Sequence, residues 1–437
     1  MQIAGVIEGF YGRPWTWDER VLVCRWAAAR RLGDYVYAPK DDPKHRAAWR
    51  EPYDDEELAG FSRIVTEGGV RLGFAISPGL SIEAGDPGDR AALAAKVDQI
   101  LDVGARLVVL ALDDIPFGGG PQGRDHAALT AWLRDHLGER ATLCLVPTEY
   151  VGVRPTPYLD ALAKGVPEDV PIGWTGISVV PRHITTEQAR ARADALGGRP
   201  PLLWDNAAAN DAVMIDRLPI GPLRGRDPGL REELAGYLAN PCCQPRAARV
   251  HLGSVAAWLR GGDPEAAWVT AAEELGARTL AESVDGEVPR GLVAEVIAAK
   301  DPGDRRHAAA ALRAWLQEAS RCDAGDLGPE VEAWVDQTRT EAGVALAALD
   351  LFERCAWEEQ DAGPHAVVGL ALQWRAVRLA TTTVMGSRLS LMGDLGQRPD
   401  GTWSVRPGLV IEGRSATDAL ARAALVAARA LDPDPRQ

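Results

Sequence analysis

The chain has 437 residues, 46% of them apolar and 25% charged, with a formal net charge of -14. That length exceeds one ordinary core and predicts two domains, although an α/β barrel absorbs about 250 residues by itself. An acidic balance without a basic stripe excludes a nucleic-acid partner, and no uninterrupted run reaches the roughly 20 apolar residues of a membrane span.

From the N-terminus, short apolar runs alternate with amphipathic stretches, the pattern of βα units. MQIAGVIEGF opens on a strand with no basic, apolar leader before it, which sets the expectation of a cytoplasmic protein. The predicted strands are Ile3 to Ile7, Tyr35 to Ala38, Arg71 to Ile76, Arg106 to Leu112, Ala141 to Val146, Gly173 to Ile177, Pro201 to Trp204 and Ile215 to Ile220. Helices are predicted between them at Thr16 to Leu32, Asp54 to Glu67, Asp89 to Val103, His126 to Leu137, Tyr158 to Lys164 and Thr186 to Leu196, with a short turn after Asn210. This predicts a (β/α)8 TIM-type barrel over residues 1–250. From about Asn240 strand-like runs become rare, and helical periods at Pro264 to Leu275, Pro289 to Ala299, Arg305 to Ala319, Pro329 to Phe352, His365 to Leu391 and Ala416 to Ala430 predict an all-α helical bundle over 251–437. In the long helix, apolar positions Val331, Val335, Val344, Leu346 and Leu349 need a partner element, which suggests a homodimer through the helical domain.

The six cysteines, at positions 24, 144, 242, 243, 322 and 355, form neither a metal knuckle nor a CxxC pair, and the seven histidines are scattered. Reduced thiols, no metal and no cofactor are expected.

The chemistry concentrates where strands end. The run RLVVLALDDIPFGGG is a buried strand that stops at two adjacent carboxylates, Asp113 and Asp114. Neighbouring carboxylates repel one another, and the end of a barrel strand is where catalytic groups stand. The same mouth collects Glu8, Gly9, Tyr11 and Trp15 after the first strand, Lys40, Asp41 and Asp42 after the second, Glu149 and Tyr150 after the fifth, and Trp204, Asp205, Asn206, Asn210 and Asp211 after the seventh. Glycine beside aromatics in EGFYG suits a backbone closing under a ligand with Tyr11 or Trp15 as a wall. Many neutral donors and acceptors with acids and tryptophans, and no phosphate loop or dinucleotide glycines, read as a carbohydrate pocket. Adjacent acids fit poorly the separation of about 5 to 5.5 Å between a retaining pair on different strands. They fit better if a 2-acetamido oxygen of the substrate attacks C1, one Asp holding the acetamido N–H and the other protonating the glycosidic oxygen.

The strings GVIEGFYGRPWTWDER, YAPKDDPKHRAAWREPY, FAISPGL, LDDI, PTEY, WTG, WDNAAAND, IGPLRGR and LANP, in order from Gly5 to Pro241, resemble the family 84 glycoside hydrolases, the β-N-acetylglucosaminidases that include the protein O-GlcNAcases. The resemblance implies a retaining, substrate-assisted hydrolase of terminal β-linked GlcNAc on a glycoconjugate or glycoprotein. It assigns Asp113 to polarising the acetamido group, Asp114 to general acid/base work, Gly9 and Lys40 to sugar hydroxyls, and Tyr150 to the acetamido group and glycosidic oxygen. Trp204 and Asn206 become wall and donor near the reacting centre, Asp211 an acceptor for outer hydroxyls, and Asn240 a further sugar-binding asparagine. The three alanines of WDNAAAND and Val151 depart from the family pattern and suggest a wider mouth. A hexosaminidase acting on free glycans or hyaluronan-like fragments, and a non-catalytic sugar-binding or scaffold protein, are the alternative readings.

Overall fold

The structure is a computed structural model that describes residues 2–380, 382–386 and 415–431, with the backbone of short strands between 388 and 413. It divides into two compact units. One is built from Met1–Ala212 and Pro222–Trp268, the other from Val213–Gly221 and Val269–Leu391 with the last helix, Ala416–Ala427.

In the first unit, β1 (Ile3–Glu8), β2 (Asp34–Tyr37), β3 (Arg71–Ile76), β4 (Leu107–Ala111), β5 (Thr142–Val146), β6 (Gly173–Trp174), β7 (Leu202–Asp205) and β8 (Gly236–Ala239) form one eight-stranded sheet in the order β5-β4-β3-β2-β1-β8-β7-β6. Its neighbouring strands pair in parallel. The two ends meet at a parallel bridge between Leu145 and Ile172, where the Leu145 N–H donates to the Pro171 carbonyl at 2.9 Å. The result is a nearly closed TIM-type barrel. Alternate residues of the strands, among them Ile3, Ile7, Val36, Val109, Ala111, Cys144, Val146, Leu202 and Leu238, pack together in the interior, with Trp204 at the end of β7 joining them and Tyr150 packed alongside. The helices around the barrel are α1 (Trp17–Ala29), α2 (Asp55–Glu67), α3 (Pro87–Asp102), α4 (Gly119–Leu137), α5 (Pro157–Gly165), α6 (Thr186–Ala195) and α7 (Pro245–Leu259). Side chains start most of them: capping boxes of Thr16 with Glu19, Asp54 with Glu57 and Thr185 with Gln188 begin α1, α2 and α6.

Several elements differ from the sequence expectation, among them α7, which was not expected, and β6, which stops at Trp174. The eighth strand is Gly236–Ala239, not Ile215 to Ile220; the latter stretch follows a short 3-10 turn, Ala212–Met214, and belongs to the second unit. Four residues containing a glycine give little periodicity to read, whereas Tyr237 and Leu238 owe their burial to strands on both sides. Helix α4 starts at Gly119, seven residues before His126, although its first turn is glycine-rich. Tertiary packing overrides propensity there: a Cβ at Gly123 would lie 2.7 Å from the Tyr158 carbonyl oxygen, so glycine lets α4 and α5 approach closely.

The second unit is a helical bundle containing α9 (Arg278–Asp285), α10 (Glu287–Ala298), α11 (Pro302–Ala319), α12 (Glu332–Phe352), α13 (Pro364–Arg378) and α14 (Ala416–Ala427), the chain entering from α8 (Pro264–Glu274). The apolar face of α12 is covered inside this unit: Val335, Val344 and Leu349 are buried, and α11, α13 and α14 pack against the helix. Helix α13 ends at Arg378, short of the expected Leu391, which lies outside the described residues. The β-branched residues Thr382 to Val384 and Gly386, at φ +82°, do not continue a helix.

Candidate active site

All the residues expected to carry chemistry lie in the first unit, at or just beyond the C-terminal ends of its strands. Gly9 follows β1, and the space it leaves is filled by an aromatic ring: a Cβ there would fall 2.1 Å from Cζ2 of Trp204. Trp204 sits on β7, its indole N–H donating to Oδ1 of Asn206 at 2.9 Å. Asn240, immediately after β8, donates to the same oxygen at 2.9 Å and accepts from the Gly9 N–H at 3.1 Å. The second amide of this chain of contacts, Nδ2 of Asn206, donates to the Val179 carbonyl at 2.7 Å. Each carboxamide thus has one N–H left to offer a ligand. Gly9, Trp204, Asn206 and Asn240 form one connected wall.

The acids stand opposite different partners. Asp113 is buried and takes the Lys40 ammonium on Oδ2, while its Oδ1 is buried without a hydrogen-bond partner. Lys40 lies 3.8 Å from Oδ2 of Asp114 and 5.5 Å from the centre of the Trp204 ring. Asp114 accepts two phenols, Tyr11 on Oδ2 at 2.8 Å and Tyr150 on Oδ1 at 3.0 Å. Its backbone is left-handed, at φ +54°, a conformation uncommon outside glycine, and its carbonyl accepts from Nη2 of Arg46 at 2.7 Å. Burial pushes the Asp114 carboxyl upward, but the Lys40 charge, the two phenol hydrogen bonds and Arg46 outweigh it and hold it below the ordinary carboxylate value. The phenols respond in the opposite sense: burial, then the Asp114 charge, raises both Tyr11 and Tyr150. Asp211 accepts the Tyr11 N–H at 2.8 Å, and burial raises its carboxyl.

Other strand-end residues serve the scaffold. Glu8 pairs with Arg20 at 2.8 Å and accepts from Tyr35. Asp42 accepts the phenols of Tyr37 and Tyr53 at 2.8 and 2.7 Å. Asp205 is buried against Arg226 at 2.6 Å and Tyr237 at 2.7 Å. Glu149 accepts from Thr156, and Asn210 ties to Cys243 and Gln244. Trp15, considered as a wall from sequence, is buried with its indole N–H on the Cys243 carbonyl, and Tyr11 is the aromatic at the mouth. Of the three alanines thought to widen the entrance, Ala208 and Ala209 are buried. Arg46 was not singled out from sequence; it lies within the string YAPKDDPKHR already marked by Lys40.

Among the described residues, no helix is long and apolar enough to cross a membrane. The family model for β-N-acetylglucosaminidases matches residues 4–285. The protein O-GlcNAcases of Rattus norvegicus and Mus musculus are each 35% identical to the chain over 275 residues, which is 59% of this chain and 30% of theirs. The chain therefore matches under a third of the length of these relatives. A solved mutant O-GlcNAc hydrolase of Thermobaculum terrenum superposes with a TM-score of 0.73 at 25% identity, over 86% of this chain and 89% of that one. A barrel with two acids just after its fourth strand, together with a family match that extends over most of the chain, makes this protein a member of the β-N-acetylglucosaminidase family.

Proposed function

We propose that the mouth of the barrel hydrolyses terminal β-linked GlcNAc by substrate assistance, with retention at C1. The observation that carries this reading is the inequality of the two acids. Asp113 offers a buried oxygen without a donor, and a buried acceptor gains most from a partner the ligand supplies. An acetamido N–H is such a donor. The Asp113 carboxylate, paired with Lys40, also faces the positive charge that develops as the acetamido oxygen closes on C1 to form the oxazoline.

Asp114, adjacent in sequence and hydrogen-bonded by two phenols with the Lys40 ammonium 3.8 Å away, has the proton-transfer role. It protonates the glycosidic oxygen as the bond breaks, then takes a proton from the water that opens the oxazoline. In the free site it is held ionised, so binding has to raise its proton affinity. A sugar ring that shuts out water increases its desolvation, and a glycosidic or acetamido oxygen competes for the Tyr150 phenol, which removes one of the bonds that lower it. Trp204 and Gly9 shape the floor, the spare N–H groups of Asn206 and Asn240 donate to sugar oxygens, and Asp211 accepts from outer hydroxyls.

The substrate class follows the relatives, which are named for protein O-GlcNAc, and the aglycone proposed here is a modified Ser or Thr. In this division of labour the unit that ends at Trp268 is the catalytic barrel and the helical region follows it, so that the boundary expected at 250 moves past α7; every proposed site residue precedes Pro241. An intracellular setting is favoured by six cysteines that are all free. A homodimer through the helical unit would use α13, where Val368 and Leu372 are exposed; a single-chain mass by light scattering at high concentration would refute it.

Early-time proton NMR of the released sugar tests the mechanism. Two inversions at C1 give β-GlcNAc as first product, and initial α-GlcNAc overturns the proposal. A substrate with hydroxyl in place of acetamido is expected to be cleaved very slowly. Release from an O-GlcNAc protein, compared with a GlcNAc-terminated oligosaccharide, decides the aglycone.

A further inference from the structure

Arg46 reaches the site from the loop after β2, and that loop is firmly held. Asp42 receives the phenols of Tyr37 and Tyr53 and the Lys44 N–H, and the Arg46 N–H donates to the Pro43 carbonyl at 3.1 Å. The guanidinium makes a three-way contact. Nη2 donates to the Asp114 carbonyl at 2.7 Å, Nη1 lies 3.4 Å from the Tyr11 hydroxyl, and the same Nη1 is 3.9 Å from Oδ2 of Asp114. Tyr11 in turn donates to that Oδ2 at 2.8 Å.

We infer that Arg46 is a positioning residue for proton transfer: through the left-handed peptide of Asp114 and the Tyr11 phenol, it holds the Asp114 carboxyl in the orientation that reaches the glycosidic oxygen. This rests on the reading of Asp114 as the acid/base. A left-handed, non-glycine backbone persists only where its surroundings over-determine it, and a donor on its own carbonyl is such a restraint. The planar fork suits the task because two nitrogens in fixed relation bind the backbone oxygen and the phenol together, which a lysine ammonium does not reproduce. The charged and titratable groups around Asp114 are Lys40 from the β2 end, Asp113 beside it, Tyr150 from the β5 end, and Tyr11 and Asp211 from the β1 and β7 ends.

The test compares Arg46→Met, Arg46→Lys and Asp114→Asn with the unaltered chain, on an aryl GlcNAc with a good leaving group and on an alkyl GlcNAc with a poor one. Arg46→Met is expected to lower kcat/KM on the alkyl substrate by about 10-fold or more, with a much smaller loss on the aryl one, because only the former needs a well-aimed proton. Its basic pH limb is expected to move upward by about half a unit, since a cation beside the acid is gone. Arg46→Lys keeps the limb in place and still loses alkyl activity. Equal losses on both substrates with unmoved limbs in Arg46→Met, where Asp114→Asn does discriminate between the leaving groups, overturn the inference. No discrimination in Asp114→Asn overturns the acid/base reading beneath it. If Arg46→Met does not fold, Arg46→Lys decides: activity equal to the unaltered chain on the alkyl substrate refutes the fork.

Discussion

Replacing Gly9 with alanine is the sharpest test of the wall that Trp204 provides. The added methyl falls 2.1 Å from Cζ2 and 2.6 Å from Cη2 of the indole. Carbon atoms rest at about 3.5 to 4.0 Å, so the ring has to retreat by roughly 1.5 Å or the β1 end has to move. Neither is free. The indole is buried and fastened to Asn206, which is fastened to Asn240, which holds the Gly9 N–H. Overpacking of this kind costs about 1 to 3 kcal/mol of stability, and misplacing a positioning group by about 1 Å costs on the order of 100-fold in rate. The expected outcome is a lower melting temperature together with a fall of about 100-fold in kcat/KM on an aryl GlcNAc. Adding Trp204→Phe, which removes the two clashing carbons, should return most of the lost stability without restoring full activity, a positive coupling in a double-mutant cycle. If Gly9→Ala folds, melts and turns over like the unaltered chain, the close approach does not constrain the site and the wall is wrongly drawn.

Three other outcomes are expected. Asp114→Asn should lose about 100-fold or more on substrates with poor leaving groups and far less on activated aryl glycosides; equal loss on both counts against its role. Asp205→Asn should destabilise the barrel by about 3 to 5 kcal/mol in denaturant titration, because it strands the buried Arg226 guanidinium. Arg226, chiefly, holds the Asp205 carboxyl below its ordinary value against burial, so the stability it contributes is present above the unfolded pKa and fades as pH falls through the folded one; a variant as stable as the unaltered chain at pH 7 refutes this. In the helical unit, burial raises Glu341 from 4.5 to about 7. Ionising it costs stability as pH rises through that value, so Glu341→Gln should gain up to about 3 kcal/mol at pH 8 relative to pH 4.5, and a gain independent of pH would disprove the assignment.

The parts of this molecule that were readable beforehand are those encoded locally. Strand β4 announces itself as an unbroken apolar run, and the acids after it stand out because a core strand has no packing reason to end on two like charges. Strand β8 does not, since Gly236–Ala239 is a strand only by virtue of β1 and β7 on either side. The same holds at the site. Asp113 and Asp114 are visible as a pair, but the unlike roles proposed for them rest on Lys40 and the two tyrosines, which arrive from other strands. Arg46, in a stretch crowded with charges, looks like solvated surface until the left-handed peptide of Asp114 gives its guanidinium something to hold. Glu341 is likewise one more acid in an amphipathic helix until α14 covers it.

The hydrogen bond from the Gly9 N–H to Asn240 spans 231 positions of the chain. It lies at the seam where the first strand of the barrel meets the last. During synthesis, the proposed sugar-binding wall is therefore incomplete until nearly all of the barrel has left the ribosome, however early Asp113 and Asp114, which follow β4, have emerged. A stalled or clipped product that lacks β8 carries both acids and no Asn240. On the proposed reading a part-made barrel is not productive, and the appearance of turnover marks the moment at which the ring has closed.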